Sequence, residues 1–179
     1  QAGLLSLVNV LLLINLVAGL LFNKEGSLFN DMFRNSSLAA LQKNMLNLGT
    51  LIISLQSYGW LKRHAHALEF YMLLLSTLLG MFFMISSGNL MMFYLGLELS
   101  TIPLAAMANF DLEKRRSSEA AMKLIISSAF SSGLLLFGIS LVYGTTGTLN
   151  FAEMSPLLNG SPLQIFAFIL LVSGFAFKI

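Results

Sequence analysis

Residues 89–110, NLMMFYLGLELSTIPLAAMANF, decide the fold. The stretch matches the roughly 20 residues that carry a helix across the hydrocarbon core of a bilayer. Its only charged side chain, Glu98, lies near the middle. A carboxylate at that depth is costly, and more so if it faces lipid. Folding alone gives no reason to accept the cost, so Glu98 is a functional candidate. Further on, Pro103 has no N–H for the carbonyl of Leu99 and its ring crowds that turn, which predicts a bend. A buried acid beside a weakened turn suits a proton or cation path.

The composition agrees with a membrane setting. Of 179 residues, 56% are hydrophobic and 10% charged, where a soluble domain carries about a quarter charged residues. Long apolar runs predict helices rather than the alternating strands of about ten residues that build a barrel. The expected class is all-α, a polytopic transmembrane helical bundle. The net charge of +2 says little about partners, and the absence of Cys excludes a disulfide, a thiolate nucleophile and cysteine-held iron–sulfur clusters. Met and Phe abound, as expected of packing surfaces. The chain starts without Met and ends inside an apolar run, which reads as a fragment of a longer membrane protein.

Outward from the central stretch, about six spans are expected in one transmembrane domain, near residues 3–22, 38–55, 70–87, 89–110, 119–143 and 163–179. Asn9 and Asn15 in the first suit interhelical hydrogen bonds. Residues 23–37 form a polar connection, and Lys43 in the second span snorkels to the nearer interface. Residues 56–67 form a basic loop with Trp60 as an interfacial anchor. His64 and His66 have no third ligand nearby and read as solvated rather than metal-binding. The fifth span is expected to end at Gly144 in the left-handed conformation that closes helices. Ser161 and Pro162 supply an N-cap and first helical position for the last span.

Lys and Arg concentrate in two loops, as Lys62–Arg63 and Lys114–Arg116, with Lys24 and Arg34 in the opposite connection. The positive-inside rule puts the two basic loops in the cytoplasm. Topology accounts for the KRR run, so no nucleic-acid partner is expected.

Other charges accompany the membrane segments. Glu119 precedes Lys123 in the favourable order for a helical ion pair. Ser127 and Ser131 continue the spacing as a polar stripe that can hold water. The pair suits either a proton path or an interfacial depth anchor. Lys178 follows a nearly unbroken apolar run from Leu163, some 24 Å at about 1.5 Å per residue. It either snorkels at the far interface or stands inside the membrane before a helix break. No Gly-rich phosphate loop, nucleophile elbow or metal-ligand cluster is recognisable.

Three motifs carry a resemblance: FYLGLELSTIPL at 93–104, EKRRSSEAAMKLIISSAFSSGLLLFGISLVYGTTGTL at 113–149, and SGFAFKI at 173–179. Together they resemble the antiporter-like membrane subunits of respiratory complex I, strongly from about Glu69 onward and weakly before it. The resemblance implies a fold of about fourteen spans, of which this chain holds the second to the seventh. It implies that Glu98 is the key membrane glutamate, that Lys178 is a central proton-transfer lysine on a broken helix, and that Lys123 falls on a family position, with Glu119 in support.

The function so implied is a proton-translocating membrane subunit of NADH–quinone oxidoreductase. Glu98 and a neutralisable lysine form a couple in which each stabilises the other's charge. The resemblance implies no cofactor on this chain, with NADH, FMN, iron–sulfur clusters and quinone handled elsewhere in the complex. Its partners are then other membrane subunits, the lipid bilayer and protons, in a bacterial inner membrane crossed several times. The same motifs also suit a multisubunit sodium/proton antiporter or a membrane-bound hydrogenase. A structural subunit whose charges lock helix packing, and a solute transporter with Glu98 as its substrate site, are the rivals from other classes.

Overall fold

A computed structural model of the chain describes residues 2–22, 24–110 and 114–178. Helix α1 (Ala2–Leu21) leads into a hairpin, β1 (Gly26–Leu28) and β2 (Phe33–Asn35), then α2 (Ser37–Leu61), α3 (Ala67–Ile85) and α4 (Leu90–Ala108). The long α5 (Arg115–Thr146) follows, then the short α6 (Phe151–Met154), a single 3₁₀ turn at Ser155–Leu157, and α7 (Pro162–Ala176). By length and composition, α3, α4, α5 and Gly3–Leu21 of α1 can each cross a membrane, while α7 is a shorter apolar helix.

The chain forms two apolar clusters joined by the α3–α4 hairpin. Leu5, Val8 and Leu12 of α1 pack with Leu61 and with Phe70, Tyr71, Leu74 and Leu78 of α3. Leu90 and Leu97 of α4 pack with Leu135, Ile139 and Val142 of α5 and with Ala167 and Leu171 of α7. Large apolar side chains also cover the outside, such as Leu7, Val10 and Ile14 on α1 and Ile126 and Phe130 on α5. That arrangement suits a hydrocarbon solvent.

Polar bonds also join α1, α2 and α3. The Ser54 hydroxyl donates to Asn9 Oδ1 at 2.5 Å and shares a hydrogen with the Tyr71 hydroxyl at 2.7 Å. Asn47 Nδ2 donates to the Leu12 carbonyl. Asn9 thus makes the interhelical bond its position suggested. Lys43 reaches the hairpin, donating to Asn35 Oδ1 at 3.1 Å with its ammonium 5.0 Å from the centre of the Phe33 ring.

The helices around Glu98 touch through glycine. A Cβ on Gly80 of α3 would lie 2.4 Å from the Ser100 nitrogen, and one on Gly96 of α4 would lie 2.7 Å from the Met84 nitrogen. Small residues permit such backbone contact in apolar surroundings. Helix α4 continues through Pro103. The hydroxyls of Ser100 and Thr101 both donate to the Leu97 carbonyl.

Several boundaries differ from the sequence reading. The connection at residues 23–37 contains an antiparallel hairpin pairing Gly26 with Asn35 and Leu28 with Phe33. Its backbone joins the α3–α4 turn, with Arg34 N–H donating to Ser86 O and Gly88 N–H to Met32 O. These bonds absorb backbone groups that the α3–α4 turn alone leaves unpaired. Helix α2 extends past residue 55 to Leu61 and takes Trp60 into its last turn. Helix α5 starts at Arg115 and passes through Gly144. It ends where Gly147 adopts φ 72° and donates to the Tyr143 carbonyl. Thr145 and Thr146 hydroxyls donate to carbonyls of the preceding turn, and only the second glycine takes the left-handed form.

Candidate functional site

Glu98 stands on α4 opposite α5 and α7. Lys178 Nζ donates to Glu98 Oε1 at 2.5 Å, and Ser132 Oγ donates to the same oxygen at 2.6 Å. The two charged side chains are 7% and 19% exposed, so this is an ion pair inside the bundle. Attraction between such charges is large where water is scarce, and it offsets the cost of withdrawing both from water only when further hydrogen bonds complete the shell. Ser132 contributes one such bond.

Each partner is positioned by its own element. Asn89 caps α4, its Oδ1 accepting from Met92 N–H at 2.7 Å. The glycine contact with α3 on either side of Glu98 sets the height of the acid. On α7, Ser161 caps the start and Pro162 follows as expected. Gly138 and Gly174 bring α7 against α5: a Cβ on Gly174 would lie 2.9 Å from the Ser131 carbonyl, and one on Gly138 would lie 3.0 Å from the Ala167 carbonyl. Helix α7 then stops at Ala176, about 22 Å long at 1.5 Å per residue. Lys178 lies on the turn beyond, its N–H donating to Phe175 O at 2.9 Å. Of the two outcomes open for this lysine, the structure has it against Glu98 rather than extended to an interface.

The other residues singled out by sequence lie elsewhere. Lys123 pairs with Glu119 at 2.6 Å, and the two are 75% and 61% exposed. The polar stripe they begin does not lead to Glu98. Ser131 is buried and donates to the Ser128 carbonyl, whereas the serine on Glu98 is its neighbour, Ser132. The motif SSAFSS holds two adjacent serine pairs, and adjacent residues differ by about 100° around a helix. Only the direction of α4 decides which member matters. His66 Nδ1 lies 2.5 Å from Glu69 Oε2. His64 packs on Trp60 and Phe110, with ring centres 4.7 and 4.8 Å away.

Chemically, the arrangement holds one carboxylate, one amine that can lose its proton, and a hydroxyl able to donate and accept. It can store and exchange a proton.

Comparison with known proteins adds an independent line. The family described as NADH:quinone oxidoreductase/Mrp antiporter, transmembrane region, matches residues 87–179. A subunit N of NADH-quinone oxidoreductase from Phocaeicola vulgatus is 47% identical over 95% of this chain and 36% of its own length. Subunit N of an F420H2 dehydrogenase from Methanosarcina mazei is 34% identical over 88% of this chain and 32% of its own length. A chain of respiratory complex I from Thermus thermophilus, solved with bound aureothin, superposes with a TM-score of 0.79 at 27% identity, covering 98% of this chain and 38% of that one. The chain therefore spans about a third of the length of these curated relatives.

Proposed function

The chain belongs to the transmembrane family of NADH:quinone oxidoreductases and Mrp antiporters, and from that premise we propose that it is part of a proton-translocating membrane subunit of NADH–quinone oxidoreductase, the counterpart of subunit N. The observation that carries this reading is the Lys178 ammonium held on Glu98 inside the bundle, with Ser132 on the same oxygen.

In this mechanism Glu98 stabilises the protonated Lys178. A shift of α7 or α4 that lengthens the contact removes that stabilisation while the apolar surroundings still disfavour an isolated ammonium. Lys178 then gives its proton to the next acceptor, and Ser132 keeps Glu98 hydrogen-bonded in the interval. Return of the helices favours reprotonation. Lys123, with Glu119, is a further proton-handling lysine of the complete protein. Electron transfer from NADH through FMN and iron–sulfur clusters to quinone takes place on other subunits, and movement in neighbouring membrane subunits drives the shift. The six-span reading, with α2 and α7 as spans, belongs to the same proposal. So does insertion in a bacterial inner membrane with the Lys62–Arg63 and Lys114–Arg116 loops in the cytoplasm.

The test is Glu98→Gln in the full-length subunit within the assembled complex, reconstituted in proteoliposomes. Size and hydrogen bonding are kept and the charge is removed. Assembly is expected to survive while proton translocation and the coupled quinone reduction fall. A variant that assembles and pumps at the normal ratio would dismiss Glu98 as the proton-handling acid. The family also embraces Mrp antiporters, which favours sodium/proton exchange as a second reading. Transport that requires sodium in the same vesicles would select it.

A further inference from the structure

Two cavities adjoin between α1 and α2 at the hairpin end of the bundle. One, of about 500 Å³, is a groove walled by Leu16 and Leu20 of α1 and by Leu41, Met45 and Leu48 of α2. The other, of about 230 Å³, has Asn15, Asn35 and Lys43 in its lining. Gly19, Ala40 and Asn44 border both. A Cβ on Gly19 would lie 3.0 Å from Asn44 Cγ, so the glycine leaves room for the amide at this neck.

The groove has the length of one leaflet. It follows α2 from Ser37 to Leu48, about 16 Å at about 1.5 Å per residue. That is about half of the roughly 30 Å hydrocarbon core. Leu20, Leu41 and Met45 on its walls are each more than half exposed. A hydrocarbon chain lying along the helices covers such a surface at no cost in polar groups.

The polar cavity beside the groove calls for an anion. Lys43 Nζ is drawn toward the start of α2, where it donates to Asn35 Oδ1 and stands 5.0 Å from the centre of the Phe33 ring. An ammonium has N–H groups to spare beyond these contacts. No carboxylate pairs with Lys43 among the described residues: Glu25 accepts from the Ser37 hydroxyl, and Asp31 pairs with Arg34 at 3.5 Å. The side-chain amides of Asn15 and Asn44 likewise make no hydrogen bond among the described residues. An unpaired amide beside hydrocarbon costs free energy. A cation without a counter-ion, next to unspent amides and an apolar groove, matches a phosphate that carries acyl chains.

We infer that the two cavities hold a phospholipid from the leaflet on the hairpin side. Its phosphate sits on Lys43, an ester oxygen accepts from the Asn44 amide, and an acyl chain fills the groove. The lipid thereby closes the seam between α1 and α2.

The experiment uses the full-length subunit in the assembled complex. Native mass spectrometry of the complex in mild detergent is expected to release the subunit with the added mass of a phospholipid. Lys43→Gln should cut the lipid-bearing fraction about ten-fold, while Lys43→Arg keeps it. Equal loss in both would mark a structural effect and overturn the phosphate contact, as would a Lys43→Gln complex that retains the lipid. Proteoliposomes containing phosphatidylethanolamine with a diazirine in its acyl chain then locate the site. Irradiated after a detergent wash, they should give adducts on residues 41–48 and none at Ile126 and Phe130, which are exposed on α5. Adducts on α5 alone before the wash would mean a groove filled by protein. Adducts on both faces that wash away together would mean ordinary boundary lipid. Either result would overturn the inference. Met45→Trp fills the groove without touching the charge, and it decides the matter if Lys43→Gln does not assemble. The lipid-bearing fraction is expected to fall in it, and unchanged retention would dismiss the groove as the acyl site.

Discussion

At the residue scale, the role proposed for Lys178 differs from that of an ordinary structural cation because it requires a proton that can leave. Arginine keeps the charge and hydrogen bonds but does not deprotonate in proteins. Lys178→Arg is therefore expected to assemble and to lose proton translocation, measured in proteoliposomes; retained pumping would show that charge alone suffices. Ser132 donates to a charged oxygen, a bond worth about 1.5–3 kcal/mol. Ser132→Ala should lower coupled quinone reduction roughly ten-fold, with Ser132→Thr retaining most of it. An unchanged rate in the alanine variant would exclude the hydroxyl from the site. Outside the membrane segments, the Glu25 carboxylate accepts from the Ser37 hydroxyl at 2.6 Å and from its N–H at 3.2 Å. The side-chain bond first, then the backbone bond, holds its pKa below the ordinary value. A lowered folded-state pKa means the contribution is present above the ordinary value and fades as pH falls through the lowered one. Amide exchange at Ser37 should quicken on going from about pH 7 to about pH 3 beyond its intrinsic pH dependence. Glu25→Gln should remove the excess. Glu98 and Lys178 were legible as isolated charges in apolar sequence, whereas Ser132 was not, since its neighbour Ser131 has the same chemistry and a different face.

At the element scale, glycines decide how closely the helices approach. Gly80→Val would drive a side chain into the backbone of α4 at Ser100, moving the turn that carries Glu98. The expected result is a lower content of assembled complex and a lower pumping rate in what assembles. Two glycines at the end of α5 give a paired test. Gly144 is helical with open space around its missing Cβ, and Gly147 has a left-handed backbone. Gly144→Ala should be neutral or stabilise by about 0.5–1 kcal/mol, while Gly147→Ala should cost about 1–2 kcal/mol. Thermal unfolding of the purified subunit compares them; the reverse order would restore Gly144 as the helix terminus. Apolar length and caps predicted that α5 exists. Local pattern could not choose between the glycines, because the choice depends on the contact between the following chain and α4, where Leu90 N–H donates to Leu149 O.

At the scale of the whole molecule, the polar ends of the helices sort to two faces. The hairpin, the α3–α4 turn and the segment after α5 meet on one face through backbone bonds, including Arg34 to Ser86 and Phe151 to Gly88. The basic loops lie at the other. A single Cys at Ser117 in the assembled complex should label only from the cytoplasm, and one at Ser27 in the exposed first strand only from the opposite side. Labelling of Ser117→Cys from the periplasm would invert the topology. By itself, the sequence determined the all-α membrane class and the approximate helices, and it marked Glu98 and Lys178 as isolated charges in apolar segments. Hydrophobic length and the cost of a buried charge are local properties that survive without knowing any neighbour. Tertiary structure alone decided which groups meet. Glu98 and Lys178 are 80 residues apart, and their contact depends on glycine-limited approach of α3 to α4 and of α7 to α5. The same packing turned Lys123 away from the pair and brought Ser132 to it, because the face a helix presents is set by the elements against which it packs.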